Sequence, residues 1–154
     1  QQRKCLDEAI RADPAEIDTL IACYRLPGQP PEYRRKIVDL IERTASSLLT
    51  EIEEQPDNAQ NYNQLAWLIG NTEGDFDKAV SCAQKALELS PDNGAYCDTL
   101  ARACFAKGDL PSAVKYQTLA HELEPHSGLI SKQLKQFQDA LQEKQKPEGK
   151  PPPK

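Results

Sequence analysis

Two adjacent stretches of this chain, AQNYNQLAWLIGNTEGDFDKAVSCAQKALELSP at 59–91 and GAYCDTLARACFAKGDLPSAVKYQTLAHELEP at 94–125, decide its fold because they repeat one pattern. Gly74-Asp75 recurs 34 residues later as Gly108-Asp109. The same separation joins small and apolar residues and the closing prolines: Ala79 with Ala113, Ala86 with Ala120, Leu89 with Leu123, and Pro91 with Pro125. A period of this length is typical of a solenoid built from repeated supersecondary units.

Each stretch predicts two helices joined by a tight turn. In the first stretch, apolar residues recur at helical spacing, as at Tyr62, Leu65 and Ile69. Gly74-Asp75 supplies the turn, and Pro91 stops the second helix. The pattern therefore predicts helices over about 58–71, 75–89, 93–107 and 110–123, followed by a single helix over 127–143.

The pattern resembles the tetratricopeptide repeat (TPR) family, whose 34-residue motif reads W-x2-L-G-x2-Y, then A-x3-F, then A and P. In the second stretch the resemblance rests on Leu100, Ala101, Gly108, Ala113, Ala120 and Pro125. Three motif aromatics are replaced there, by Cys97, Cys104 and Gln117. The resemblance implies an all-α fold, a TPR-type α-solenoid of antiparallel helix pairs with a C-terminal capping helix.

Continuing the motif in both directions divides the whole chain. The predicted units are a truncated repeat at 1–14, an irregular repeat at 15–57, regular repeats at 58–92 and 93–126, a cap helix at 127–143 and a flexible Pro/Lys-rich tail at 144–154. The irregular repeat has a long second helix from Pro31 to about Glu54. We expect its first turns to project, with Tyr33 and Ile37 exposed, or covered by another chain or by a missing upstream part. Since the chain contains no Met, we expect it to be a fragment of a larger TPR-containing protein.

Composition argues against several classes of function. The net charge is −5, although residues 144–154 hold four Lys and one Glu, so the body of the chain is acidic and nucleic acid is not the expected partner. We expect no membrane insertion, because no apolar run is long enough. An odd number of cysteines without C-x-x-C pairs predicts buried thiols in a reducing, cytoplasmic compartment: Cys5, Cys23, Cys82, Cys97 and Cys104.

No group of residues predicts catalysis. The two histidines, His121 and His126, read as surface residues, and neither a phosphate loop nor a set of metal ligands is present. We therefore expect no enzyme activity, no cofactor and no metal.

The resemblance points instead to a concave groove lined by the first helix of each unit. Its groove positions correspond to Asn63, Trp67, Asp98, Arg102 and Phe105, which we predict to form one contiguous partner-binding patch. Further positions are Asp18, Ile21 and Arg25 in the irregular repeat and Lys132 and Gln136 in the cap helix. An aromatic and Arg patch favours a peptide with apolar and acidic side chains.

The function that we expect is therefore binding of a protein or peptide in this groove, and two alternatives to it stay open. The first is a structural or self-association module that forms a homo-oligomer through the long helix, and the second is a regulatory domain of a larger enzyme. Trp67 itself either faces the groove or folds over a neighbouring helix as part of the core.

Overall fold

The computed structural model describes residues 2–146, and within this range it contains eight α-helices and no strand. The helices are α1 (Gln2–Ala12), α2 (Ile17–Arg25), α3 (Pro31–Glu54), α4 (Ala59–Asn71), α5 (Phe76–Leu89), α6 (Gly94–Lys107), α7 (Leu110–Leu123) and α8 (Gly128–Gln145). Consecutive helices pack against each other, and α4 also packs against α2 and α6. The predicted all-α solenoid is confirmed.

Side-chain caps explain where the later helices begin. The residue before each of the last five helices accepts a hydrogen bond from a backbone amide of the first turn: Asn58, Asp75, Asn93, Asp109 and Ser127. Such a cap contributes about 1 kcal/mol to helix stability. At the other end of α6, Gly108 adopts the left-handed conformation that favours glycine.

The last helix is slightly longer than predicted. It continues to Gln145, so it includes the first two residues of the predicted tail. Lys146 follows the helix as its C-cap, and residues 147–154 of the predicted tail lie outside the described residues.

The long helix α3 begins at Pro31 as predicted, but the expected exposure of its first turns is wrong. Ile37 is fully buried and Tyr33 is half-buried. The Tyr33 hydroxyl interacts with Asp7 of α1 and with Cys23, and burial raises its pKa. The upstream half-repeat of this same chain therefore covers the start of α3.

The C-terminal half of α3 borders a cavity near the start of α2. Helix α2 has 9 residues and α3 has 24. Beside the start of α2, residues of α3 such as Thr44 and Glu51 border a cavity of about 460 Å³, together with residues of α4. We call this the Asp18 cavity, since Asp18 of α2 lines it.

The core is continuous from α1 to α8 and contains mostly Leu, Ile and Ala side chains. Burying one large aliphatic side chain contributes about 1.5–3 kcal/mol. Four of the five predicted buried thiols are buried, but Cys5 is exposed on α1, and all five are free.

Gly70 brings the backbone of α4 close to that of α6. An added Cβ at Gly70 would lie 3.3 Å from the Cα of Ala103 in α6. The two backbones touch here, because neither residue carries a large side chain.

Gly70→Leu should therefore lower the free energy of unfolding by at least about 2 kcal/mol, since the side chain has no room against the α6 backbone. Urea unfolding followed by circular dichroism measures this loss. The matched control is Gly128→Leu at the start of α8, where an added Cβ meets nothing within 4 Å. Equal stability of the two variants would contradict the tight α4–α6 contact.

Candidate binding site

The predicted site residues belong to α2, α4, α6 and α8. Two cavities lie between these helices, and we call the surface around them the cavity face. The Asp18 cavity lies between α2, α3 and α4. A second cavity of about 470 Å³ lies between α4, α6 and α8, and we call it the Leu129 groove.

Trp67 stands between the two cavities and lines both. Its indole Nε1 donates a hydrogen bond to Asp18 Oδ1 at 2.9 Å, which ties α4 to α2. The side chain is half-buried and packs against the core. Both interpretations of Trp67 therefore hold in part, because the residue borders the cavity face and also supports the helices beneath it.

The lining of the Asp18 cavity is acidic. Four carboxylates border it, and its lining residues include no Lys, Arg or His: the acids are Asp13, Glu16, Asp18 and Glu51. Glu16 caps α2 by accepting from the amides of Asp18 and Thr19, and the hydrogen bonds to Thr19 are the main reason its pKa is lowered. Asn63 also lines the cavity, and within the described residues its amide oxygen is buried without a hydrogen-bond partner.

The Leu129 groove has an apolar wall and a charged rim. Trp67, Ala95, Leu129 and Ile130 form the apolar part. Leu129 is 82% exposed, which makes it the most exposed large apolar side chain among the described residues. Lys132 and Gln136 of α8, both placed at the groove by the resemblance, lie on its border.

Asp98 is the carboxylate held most firmly in this groove. Its Oδ1 accepts from the Gln117 amide at 2.5 Å and from the Gln133 amide at 3.3 Å. Burial raises the pKa of Asp98, the hydrogen bond from Gln117 opposes this, and the nearby Glu124 raises the pKa further. Gln117, which replaces a motif aromatic, is itself fully buried and also donates to the Ile130 carbonyl oxygen.

Glu124 reaches the groove because α6 begins with a glycine. An added Cβ at Gly94 would lie 2.5 Å from Glu124 Oε1 and 2.8 Å from its Cγ. The Glu124 side chain thus lies directly over the first turn of α6, where the positive end of the helix dipole favours a carboxylate.

Arg102 and Phe105 do not line either cavity. The Arg102 Nε donates to the Gly70 carbonyl oxygen at 3.0 Å, its guanidinium lies 5.4 Å from the Phe105 ring centroid, and burial lowers its pKa to about 10. Phe105 stacks on the fully buried Phe137 of α8 at 4.3 Å. Internal contacts of α4 and α8 therefore occupy the two side chains on which the preference for acidic peptides rested.

The predicted site residues thus differ in whether they border a cavity or contact another helix. Asn63 and Trp67 share the Asp18 cavity, and Trp67 and Asp98 share the Leu129 groove. Ile21 is buried, and Arg25 donates from Nε to the Asn71 carbonyl oxygen at 3.1 Å. The five predicted patch residues are thus spread over two cavities and one set of helix contacts.

Sequence reasoning missed Leu129, Ile130 and Glu124 as groove residues. The sequence does indicate that Leu129 is exposed, because this leucine lies outside the apolar stripe of α8. That stripe is formed by Ile130, Leu134, Phe137 and Leu141. Nothing in the sequence around Glu124 indicates that it lines the groove, because the position of its side chain depends on Gly94 in another helix.

The described residues contain no cluster of three or more His, Cys, Asp or Glu arranged to hold a metal ion. His126 is exposed, and the His121 Nδ1 lies 3.3 Å from the Ser131 Oγ. Among the described helices, none is both long and apolar enough to cross a membrane.

Comparison with known families gives one match. The sequence model described as tetratricopeptide repeat matches residues 59–93, which span α4, α5 and the turn after them. No curated protein matches the chain. The predicted TPR-type solenoid is therefore confirmed, and repeats of this kind generally mediate protein–protein interaction.

The bond between Trp67 and Asp18 should appear as a coupling energy. Trp67→Phe keeps the apolar contacts but removes the donor, and Asp18→Ala removes the acceptor. A double-mutant cycle on the free energy of unfolding should give about 0.5–1 kcal/mol of coupling, as for a half-exposed hydrogen bond. Additive effects of the two substitutions would show that the bond does not stabilise the α2–α4 contact.

The negative charge on Asp98 should lower the free energy of unfolding. Because the folded-state pKa lies above the ordinary value of 3.8, the folded state binds the proton more tightly than the unfolded state. The penalty is therefore present at neutral pH and is relieved as the pH falls through the raised pKa. Asp98→Asn keeps an oxygen for Gln117 and should be more stable than the parent at pH 7, with a difference that shrinks towards pH 4 in urea unfolding. A difference that does not change with pH would contradict this.

Proposed function

We propose that this chain, a tetratricopeptide-repeat protein, holds a partner protein by taking a short segment of it into the Leu129 groove. The observation that carries the proposal is the exposed Leu129, which forms one apolar wall with Trp67, Ala95 and Ile130. Apolar surface that a monomer leaves open beside an aromatic residue is typical of a protein-interaction site.

The size of the groove limits how much of a partner protein it can hold. About 470 Å³ accommodates one or two side chains and not a folded domain. The partner would therefore place an anchor residue between Trp67 and Leu129 and extend along the part of the cavity face formed by α4, α6 and α8. Recognition of a short segment by a helical groove is a common mode of peptide binding.

Leu129→Asn should weaken partner capture at least about tenfold, because a polar side chain replaces the apolar wall of the groove. The matched control is Leu119→Asn on α7, since Leu119 is also an exposed leucine but lines neither cavity. Leu129→Asn should keep the parent melting temperature within a few degrees because Leu129 is 82% exposed, whereas Leu119→Asn should lower it more because Leu119 is only 38% exposed.

The measurement is quantitative pull-down from a lysate of the source cell with parent, Leu129→Asn and Leu119→Asn, beside sedimentation of each protein alone. Equal capture by Leu129→Asn and the parent would refute the groove. A parent dimer that Leu129→Asn dissociates would show that the groove serves self-association instead.

A further inference from the structure

We propose that the segment bound in the Leu129 groove is basic, with a Lys or Arg next to its apolar anchor, and that the cation lies against Asp98 and Glu124. This inference rests on the proposed function and adds the chemistry of the partner. It reverses the acidic partner favoured by the sequence pattern, because the groups that line the groove differ from those expected.

The charges facing the groove support a basic partner. Two carboxylates, Asp98 and Glu124, line it against one cation, Lys132. The adjoining Asp18 cavity, reached past Trp67, is bordered by four more carboxylates. A segment that crosses both cavities meets six acidic side chains and a single lysine, so positive charge on the partner is complementary along its whole path.

Asp98 is built to receive a cation. The buried Gln117 and the half-buried Gln133 both donate to one carboxylate oxygen, Oδ1, which fixes the orientation of the group. Among the described residues, no Lys or Arg forms an ion pair with Asp98 or Glu124. The nearest arginine, Arg102, attracts Asp98 through space but directs its Nε to the Gly70 carbonyl oxygen.

Two neighbouring carboxylates without a paired cation are unfavourable until a counter-charge arrives. Burial and the charge of Glu124 both raise the pKa of Asp98. A Lys or Arg of the partner would remove this repulsion on binding, whereas an acidic segment would increase it. The apolar wall then contributes most of the binding affinity, and the two carboxylates determine the specificity for a basic partner.

Other sources of positive charge are separable by experiment. The chain's own segment 146–154 contains Lys146, Lys150 and Lys154, so it shares the proposed chemistry. We commit to a segment of a different protein, since the groove combines its carboxylates with an apolar wall and residues 147–154 contain no apolar residue other than Pro and Gly.

The test is selection of a phage-displayed library of random decapeptides on the full chain, followed by synthesis of the consensus peptide. Fluorescence anisotropy then measures the Kd of this peptide and of its Lys/Arg→Gln version. The protein variants are Asp98→Asn with Glu124→Gln in the groove, and Glu53→Gln with Asp57→Asn as a control of equal charge change at exposed residues that line neither cavity. Circular dichroism melts check that each variant is folded.

We expect selected peptides to carry Lys or Arg beside a large apolar residue. The groove pair of substitutions should weaken binding at least about tenfold, and the control pair less than about twofold. Gly94→Ala displaces Glu124 without removing its charge, so it should weaken binding by an amount between those of the groove pair and the control pair. Neutralising the peptide should cause a similar loss to neutralising the groove.

Each other outcome overturns a distinct claim. Acid-rich peptides whose binding depends on Leu129 would refute the basic partner and leave the groove function standing. Peptides that bind Leu129→Asn equally well, or no selected peptide at all, would refute the groove itself. If a full chain with Lys146, Lys150 and Lys154 changed to Gln binds the peptide at least about tenfold more tightly than the parent, the chain's own terminus is the occupant, and the commitment to another protein is wrong.

Discussion

The contact between α4 and α6 at Gly70 and Ala103 sets the spacing on which the rest of the cavity face depends. The backbones of α4 and α6 approach closely here, and the carbonyl oxygens of Gly70 and Asn71 at the end of α4 accept hydrogen bonds from arginines of both neighbouring helices. Arg102 reaches across from α6, and Arg25 from α2. These bonds satisfy carbonyl groups that a helix end otherwise leaves without partners. Trp67, about one turn before Gly70 on the same helix, lines the Leu129 groove together with Asp98.

The motif position filled by Gln117 shows how a departure from a repeat pattern creates a local hydrogen-bond network. An aromatic side chain at this position would contribute packing alone. The amide is instead fully buried and joins three helices, because it donates to Asp98 of α6 and to the Ile130 carbonyl oxygen of α8. A buried amide is tolerated when its hydrogen bonds are made. The carboxylate of the groove is therefore supported from within the core.

Local patterns accounted for most of the helices, since periodicity, caps and prolines act within a few residues. Helix α7 has the predicted bounds, and Gly108 ends α6 in the left-handed conformation. The misses concern contacts between distant parts of the chain. Nothing near Ile37 reveals that α1 covers it, and nothing near Phe105 reveals that Phe137 of α8 stacks on it. The five predicted patch residues lie on α4 and α6, but which side chains remain open to a partner depends on those long-range contacts.

The position of Trp67 has a consequence for optical measurement. It is the only tryptophan of the chain, so indole emission arises from a single place. That place is bonded to Asp18, borders both cavities and packs on the core. A carboxylate acceptor on one side and open apolar space on the other make the emission wavelength sensitive to whatever enters either cavity. The native chain thus contains an intrinsic fluorophore, Trp67, at the point where the two cavities meet.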